Sequence, residues 1–134
     1  MKESMSHQTY PWFAMNEQAI TVALKPGSED NGKIVEIDFV VDFNGFAQVM
    51  GFEIISLKYY AGPSILTDIH IDSLRSLGVG CSYIAETDVF YMRFPEDPVY
   101  RLVASGNVLD QKVLPGKIYL DRDGRASLFE VTLS

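Results

Sequence analysis

Asp68-x-His70-x-Asp72 is the one cluster of this 134-residue chain whose residue types and spacing could do chemistry. On an extended strand the three side chains would share a face, and two carboxylates beside an imidazole can ligate a metal ion or pass a proton. On a helix, Asp68 and Asp72 would share a face at i, i+4 and His70 would point elsewhere. The other histidine, His7, lies in a polar N-terminal stretch, so a helix cap or a solvated polar face is the plainer reading of the cluster. Tyr59 and Tyr60 could line a groove with it, although such residues are more often core with a hydrogen-bonded hydroxyl.

The remaining candidates carry less. Asp121-x-Asp123-Gly124 has the outline of a calcium loop, but an EF-hand needs more oxygen ligands, a glycine at its sixth position and a glutamate at its twelfth. Here Arg122 and Arg125 intrude, and a tight turn accounts for the residues better. Cys81 is flanked by Gly80, Ser82 and Tyr83, none of which is a base that could activate a thiol. Glu53 and Glu130 each sit between apolar neighbours, so one side of each segment must be wet or the acid paired. There is no glycine-rich phosphate loop, no nucleophile elbow with a Ser-His-Asp pattern, and no Cys/His metal spacing. No catalytic residue, cofactor or metal is therefore assigned.

Composition narrows the function classes. Net charge is −7, divided as −4 over residues 1–67 and −3 over 68–134. With no basic stripe to release counterions from a phosphate backbone, nucleic-acid binding is disfavoured, and an anionic membrane surface is disfavoured for the same reason. A basic protein partner suits this balance. No run approaches the roughly 20 apolar residues of a spanning helix. A single cysteine excludes an internal disulfide and points to a reducing cytoplasm. Residues 1–12 lack the pattern of a secretory signal, and the polar stretch from Met1 to about Tyr10 reads as disordered.

The elements that must position these residues come in a repeated pattern. Ala19, Ile20, Val22 and Leu24 recur as Val89, Phe90, Met92 and Phe94, at a constant offset along the chain. Asn44-Gly45 recurs as Asp123-Gly124, and both are hairpin signals for a type I′ turn. Glu53 recurs as Glu130. Ile37, Phe39 and Val41 alternate with polar or smaller residues before the first turn, as do Ile118 and Leu120 before the second. Val99–Val103 and Val108-Leu109, around Gly106-Asn107, have the pattern of one further hairpin. Between the copies, Ile65, Leu66, Ile69, Leu74 and Leu77 form a helical stripe, and Gly78 is placed to cap it. A short strand over Thr67–Asp72 is the competing reading.

The second copy resembles a known family. Tyr83-x-x-Glu86-x-Asp88-Val89-Phe90-Tyr91-Met92-Arg93, then Asp121-x-Asp123-Gly124-Arg125 and Phe129-Glu130-Val131, is similar to the YuzE-like family of small bacterial proteins, a domain of unknown function. The likeness covers roughly residues 83–134 and departs at Ile84, where the family usually has aspartate. The first copy, about 13–57, matches more weakly, with Phe13 for tyrosine and Gln18 for aspartate. Family members are usually single-copy, so the resemblance implies a fused pair. It carries no activity; the toxin-like genes that neighbour some members imply an antitoxin or partner-binding role.

The sequence thus predicts an α+β domain, in which two antiparallel β-meanders, about 18–56 and 83–133, are related by an approximate two-fold axis and joined by one linking helical segment within 62–80. The chain, 1–134, is read as a single domain of two repeats. Ile20, Val22, Phe39, Val41, Phe90, Met92, Ile118 and Leu120 are expected to form the interface between the halves, and any homodimer to be weak. The predicted function is a non-enzymatic protein-interaction module of the cytoplasm, antitoxin-like in character. The alternative is a small-molecule-binding or metal-dependent enzyme built on Asp68, His70 and Asp72 with Tyr59 and Tyr60.

Overall fold

The computed structural model describes residues 10–26, 32–44, 48–95 and 110–134. The N-terminal stretch read as disordered and the hairpin expected around Gly106-Asn107 lie outside the described residues, apart from Tyr10. Among the described residues there are eight strands: β1 (Trp12–Met15), β2 (Ala19–Ala23), β3 (Ile34–Phe43), β4 (Val49–Ile55), β5 (Gly80–Ile84), β6 (Val89–Arg93), β7 (Asp110–Leu120) and β8 (Ala126–Thr132). Two short helices, α1 (Leu57–Ala61) and α2 (Asp68–Ser76), lie between β4 and β5.

All eight strands belong to one antiparallel sheet in the order β1-β2-β8-β7-β3-β4-β6-β5. This corrects the expected α+β arrangement of two meanders and a linking helix: the protein is mostly β, a single sheet curled into a half-barrel. A meander would set β2 beside β3. Instead β2 pairs with β8, from Ala19↔Thr132 to Ala23↔Leu128, and β4 pairs with β6, from Gly51↔Arg93 to Ile55↔Val89. Each early hairpin thus has an edge filled by a strand from the second half of the chain. The physical reason is the edge: an isolated hairpin is marginal in water and exposes unpaired backbone groups, whereas cross-pairing closes those edges around one core. The two helices are too short to form a layer of their own.

Local sequence explains the elements. Along β3, Phe39 and Val41 face inward while Glu36 and Asp38 are exposed, the alternation that a half-buried strand requires. The Asp121–Arg125 turn has three loop residues rather than the two of a type I′ turn. Gly124, at φ 81°, takes the left-handed position that such a loop needs. Helix α2 begins at Thr67, whose side chain accepts His70 N–H at 3.3 Å. It ends in a Schellman motif: Val79 N–H bonds Leu74 O, Gly78 N–H bonds Arg75 O, and Gly78 has φ 84°.

The core lies on the inner face of the curl. Phe39, Phe52, Phe90, Phe94 and Phe129 are fully buried. Phe39 and Phe52 meet edge to face at 5.0 Å between centroids, and Phe90 stacks on Phe129 at 5.9 Å. Leu57 and Ala61 of α1, Ile65, and Leu74 of α2 close the open side of this cluster. Ile20, Val22, Phe39, Val41, Phe90, Met92, Ile118 and Leu120 are all buried in it.

Candidate functional site

With the inner face filled, any site must use the outer face or the rim. Adjoining outer positions of β3, β4 and β7 hold two acids bridged by an amide. Gln111 Nε2 donates to Asp42 Oδ1 at 2.7 Å and to Glu53 Oε2 at 3.1 Å. Register makes this possible, because Asp42 pairs with Gln111 and Val40 pairs with Glu53. Burial raises the Glu53 carboxyl above its ordinary value, the Asp42 carboxylate raises it further, and the Gln111 hydrogen bond works against both.

Next to these acids is an open groove of about 520 Å³, lined by Glu36, Asp38 and Val40 of β3, Ile55, Ser56, Tyr60 of α1, and Val113 and Pro115 of β7. Its origin is a divergence of strands. The β3–β4 ladder stops at Val40↔Glu53, although β3 begins at Ile34 and β4 continues to Ile55. Ser56 then adopts a left-handed conformation, φ 60° and ψ 42°, and turns the chain into α1. The segment Ile34–Phe39 is paired with β7 on one side and has no partner strand on the other among the described residues. Val113 is 65% exposed and Ile55 53%, so the groove has an apolar floor beside an acidic rim.

A second cluster sits at the rim. Asp88, at φ 54°, lies in the β5–β6 turn. Its Oδ1 accepts the Tyr83 hydroxyl at 2.6 Å and Lys58 N–H at 2.8 Å; its Oδ2 accepts Tyr59 N–H at 3.0 Å. The Lys58 ammonium lies 4.4 Å from the Tyr83 ring centroid. Burial alone would raise the Asp88 carboxyl, but its three hydrogen bonds and the Lys58 charge outweigh burial and lower it. Tyr83 is pushed up to about 12, by burial first and then by Asp88. These bonds satisfy the first amides of α1, so the cluster is a clamp between elements and has no spare reactive group.

The predicted site residues are distributed over two helices. Tyr59 and Tyr60 are exposed on α1, in edge contact at 4.9 Å, and Tyr60 alone reaches the groove. Positions 68, 70 and 72 all lie on α2, so they do not share one face as they would on a strand. Asp72 is exposed and His70 half-buried. The His70 Nδ1 has no hydrogen-bond partner among the described residues. Burial lowers its pKa, as do the nearby Lys25 and Arg125 charges, against an opposing Asp121. Lys25 Nζ bonds Asp121 Oδ2 at 2.5 Å, and Asp121 Oδ1 accepts the N–H groups of Asp123 and Arg125. Asp121 and Asp123 thus organise a turn.

Cys81 is buried, and burial raises its thiol pKa, with Asp72 adding to the rise and Arg75 opposing it. Its carbonyl accepts both Nε and Nη2 of Arg75. Among the described residues, no group of three His, Cys, Asp or Glu side chains could hold a metal ion. No helix of the described residues is long and apolar enough to cross a membrane. The groove was missed in the sequence because Val113 and Glu36 are distant along the chain; outward polar positions on β3 were its only signal. Comparisons with family models, curated proteins and solved structures find no match to this chain.

Proposed function

We propose that this protein is a non-enzymatic interaction module for a basic protein partner, antitoxin-like in character. The groove beside β3 carries this reading: Glu36 and Asp38 flank Val40, Val113, Ile55 and Pro115 on the outer face of a chain with net charge −7. An apolar floor supplies affinity, and an acidic rim selects and steers a cationic partner. The same proposal sets the protein in a reducing cytoplasm, supported by its single buried thiol.

The proposal includes the reading of the chain as a fused pair of like units, with the YuzE-like resemblance as their kinship. Several features support it. Exchanging β1–β4 with β5–β8 reverses the strand order onto itself. Asn44 and Gln48 exchange a backbone bond and an Asn44 Oδ1 bond; Asp121 and Arg125, in the second half, exchange the same two. Register shifts fall between Asp42 and Phe43 and between Tyr119 and Leu120, at the matching distance before each of these turns. Leu24 N–H bonds Ser127 O as Phe94 N–H bonds Met50 O.

The test is capture from the native host with immobilised protein, in parallel with a Glu36→Lys/Asp38→Lys variant. A basic protein retained by the wild type, released by salt of about 0.5 M and ignored by the variant is the expected outcome. No retained protein across growth conditions, or undiminished retention by the variant, rejects the reading.

A further inference from the structure

We infer that the groove is a strand-addition site: an extended segment of the partner, alternating basic and apolar residues, pairs with the open edge of β3 at Glu36 and Asp38. This rests on the basic-partner reading and states how that partner is held.

Ladder parity sets which backbone groups are free. Leu120 N–H bonds Lys33 O, so residues 33 and 120 form a hydrogen-bonded pair across β3 and β7. Such pairs alternate in an antiparallel ladder. Val35, Ile37 and Phe39 therefore spend their backbone groups on β7, and Ile34, Glu36 and Asp38 turn theirs towards the side that β4 occupies only from Val40 onward. Two further residues fit this parity. Asn44 N–H bonds Gln48 O on the β4 side. Pro115, opposite Asp38, sits where β7 needs no N–H for β3. Among the described residues, no backbone bond outside the helices and strands engages Glu36 or Asp38.

Among the described residues the edge is open because Ser56, in a left-handed conformation, turns the chain away after β4, and the space left is the groove. An added strand would take up the N–H and C=O groups of Glu36 and Asp38 and lay alternate side chains on the outer face. There it would meet Glu36 and Asp38, with Lys117 across from Glu36 as the one opposing charge in that row, and then Val40, Val113 and Ile55. Glu53 and Asp42 extend the acidic character beyond the groove. Basic residues in register with the acids and valine-like residues in register with the floor are the matching pattern. A second copy of this chain, at net −7, would bring like charge to the rim.

The probe is a synthetic peptide of about eight alternating lysine and valine residues, added to isotope-labelled protein and followed by amide hydrogen exchange. The expected result is protection of the Glu36 and Asp38 amides by about tenfold or more, with binding lost when alternate peptide amides are N-methylated. Glu36→Pro, which removes an edge donor and spares the β7 ladder, should weaken binding about tenfold while thermal unfolding shows the fold retained. Binding with protection elsewhere, or indifference to N-methylation, overturns strand addition and leaves the basic-partner reading standing. If neither this peptide nor a scrambled basic peptide binds, both fall. Protection of Glu36 and Asp38 without peptide, rising with protein concentration, assigns the edge to a homodimer and overturns the proposal.

Discussion

Tyr83 donates its hydroxyl to Asp88 Oδ1 at 2.6 Å, and that oxygen also receives Lys58 N–H at 2.8 Å. Helix α1 has no side-chain cap of its own, since Ser56 at the N-cap makes no such bond. The distant β5–β6 turn supplies the cap instead. The clamp therefore joins the β5–β6 hairpin to the corner where β4 leaves the sheet, and so fixes one wall of the groove. Asp88→Ala should lose about 2 kcal/mol, from the lost cap and hydrogen bonds. Asp88→Gly should lose less, because glycine tolerates the positive φ. Tyr83→Phe should lose about 1 kcal/mol. Urea unfolding measures all three; an alanine variant as stable as wild type would show that the carboxylate contributes nothing.

Acid should weaken this clamp and the Asp121 turn together. Both carboxyls are lowered in the folded protein, from an ordinary value of 3.8. A lowered acid pKa means that the unfolded chain binds protons first, so stability is present above 3.8 and is lost as pH falls through the folded values. The urea midpoint should drop below about pH 4. Asp88→Asn combined with Asp121→Asn should start lower and fall less steeply. An equally steep fall in the double variant would place the acid sensitivity elsewhere.

His70 should produce a separate loss nearer neutrality. Burial and the Lys25 and Arg125 charges depress its folded pKa below 6.5, and Asp121 only partly opposes them. The unfolded state takes up the proton first, so the stability tied to neutral His70 is full above 6.5 and declines as pH drops through the folded value. His70→Gln should flatten the melting temperature between about pH 7 and pH 5. An unchanged slope in that variant would refute the assignment.

What could be read from the sequence was whatever the chain encodes locally. The alternation of Ile37, Phe39 and Val41, and of Ile118 and Leu120, located strands and their inward faces. Gly78 was identified as a helix end from position alone. Pairing order was not legible, because alternation tells which face a residue occupies and not which strand lies beside it. Nothing near Ile20 says that its partner is Val131. Helix α1 was missed because Leu57–Ala61 is short, holds two tyrosines and takes its cap from Asp88. The Asp123-Gly124 turn was located, although as a three-residue loop, whereas Gly45 of the other turn signal lies outside the described residues; the residues making the same bonds in the two halves are Asn44 and Asp121. The contact of Asp42 with Gln111 joins strands far apart in the chain and has no local signal at all.

The centre of the sheet offers a sharp test of packing. Gly116 of β7 pairs opposite Ile37 of β3, and a Cβ at Gly116 would stand 2.4 Å from Cδ1 and Cε1 of Phe39 and 2.7 Å from Glu130 O. Glycine is thus required by contact with a fully buried ring and with the neighbouring strand, and no positive φ is involved. Gly116→Ala should cost about 1–3 kcal/mol, the range for overpacking a well-filled core. The ring contact and the backbone contact can be separated by a double-mutant cycle with Phe39→Leu. Phe39→Leu alone should also destabilise, by vacating part of the aromatic cluster that Phe52 and Phe129 share with it. In the double variant the smaller side chain leaves room for the new methyl, so the combined loss should be smaller than the sum of the single losses by about 1 kcal/mol. Strict additivity in urea unfolding would mean that the Glu130 carbonyl, which no side-chain change relieves, is the contact that excludes a Cβ at Gly116.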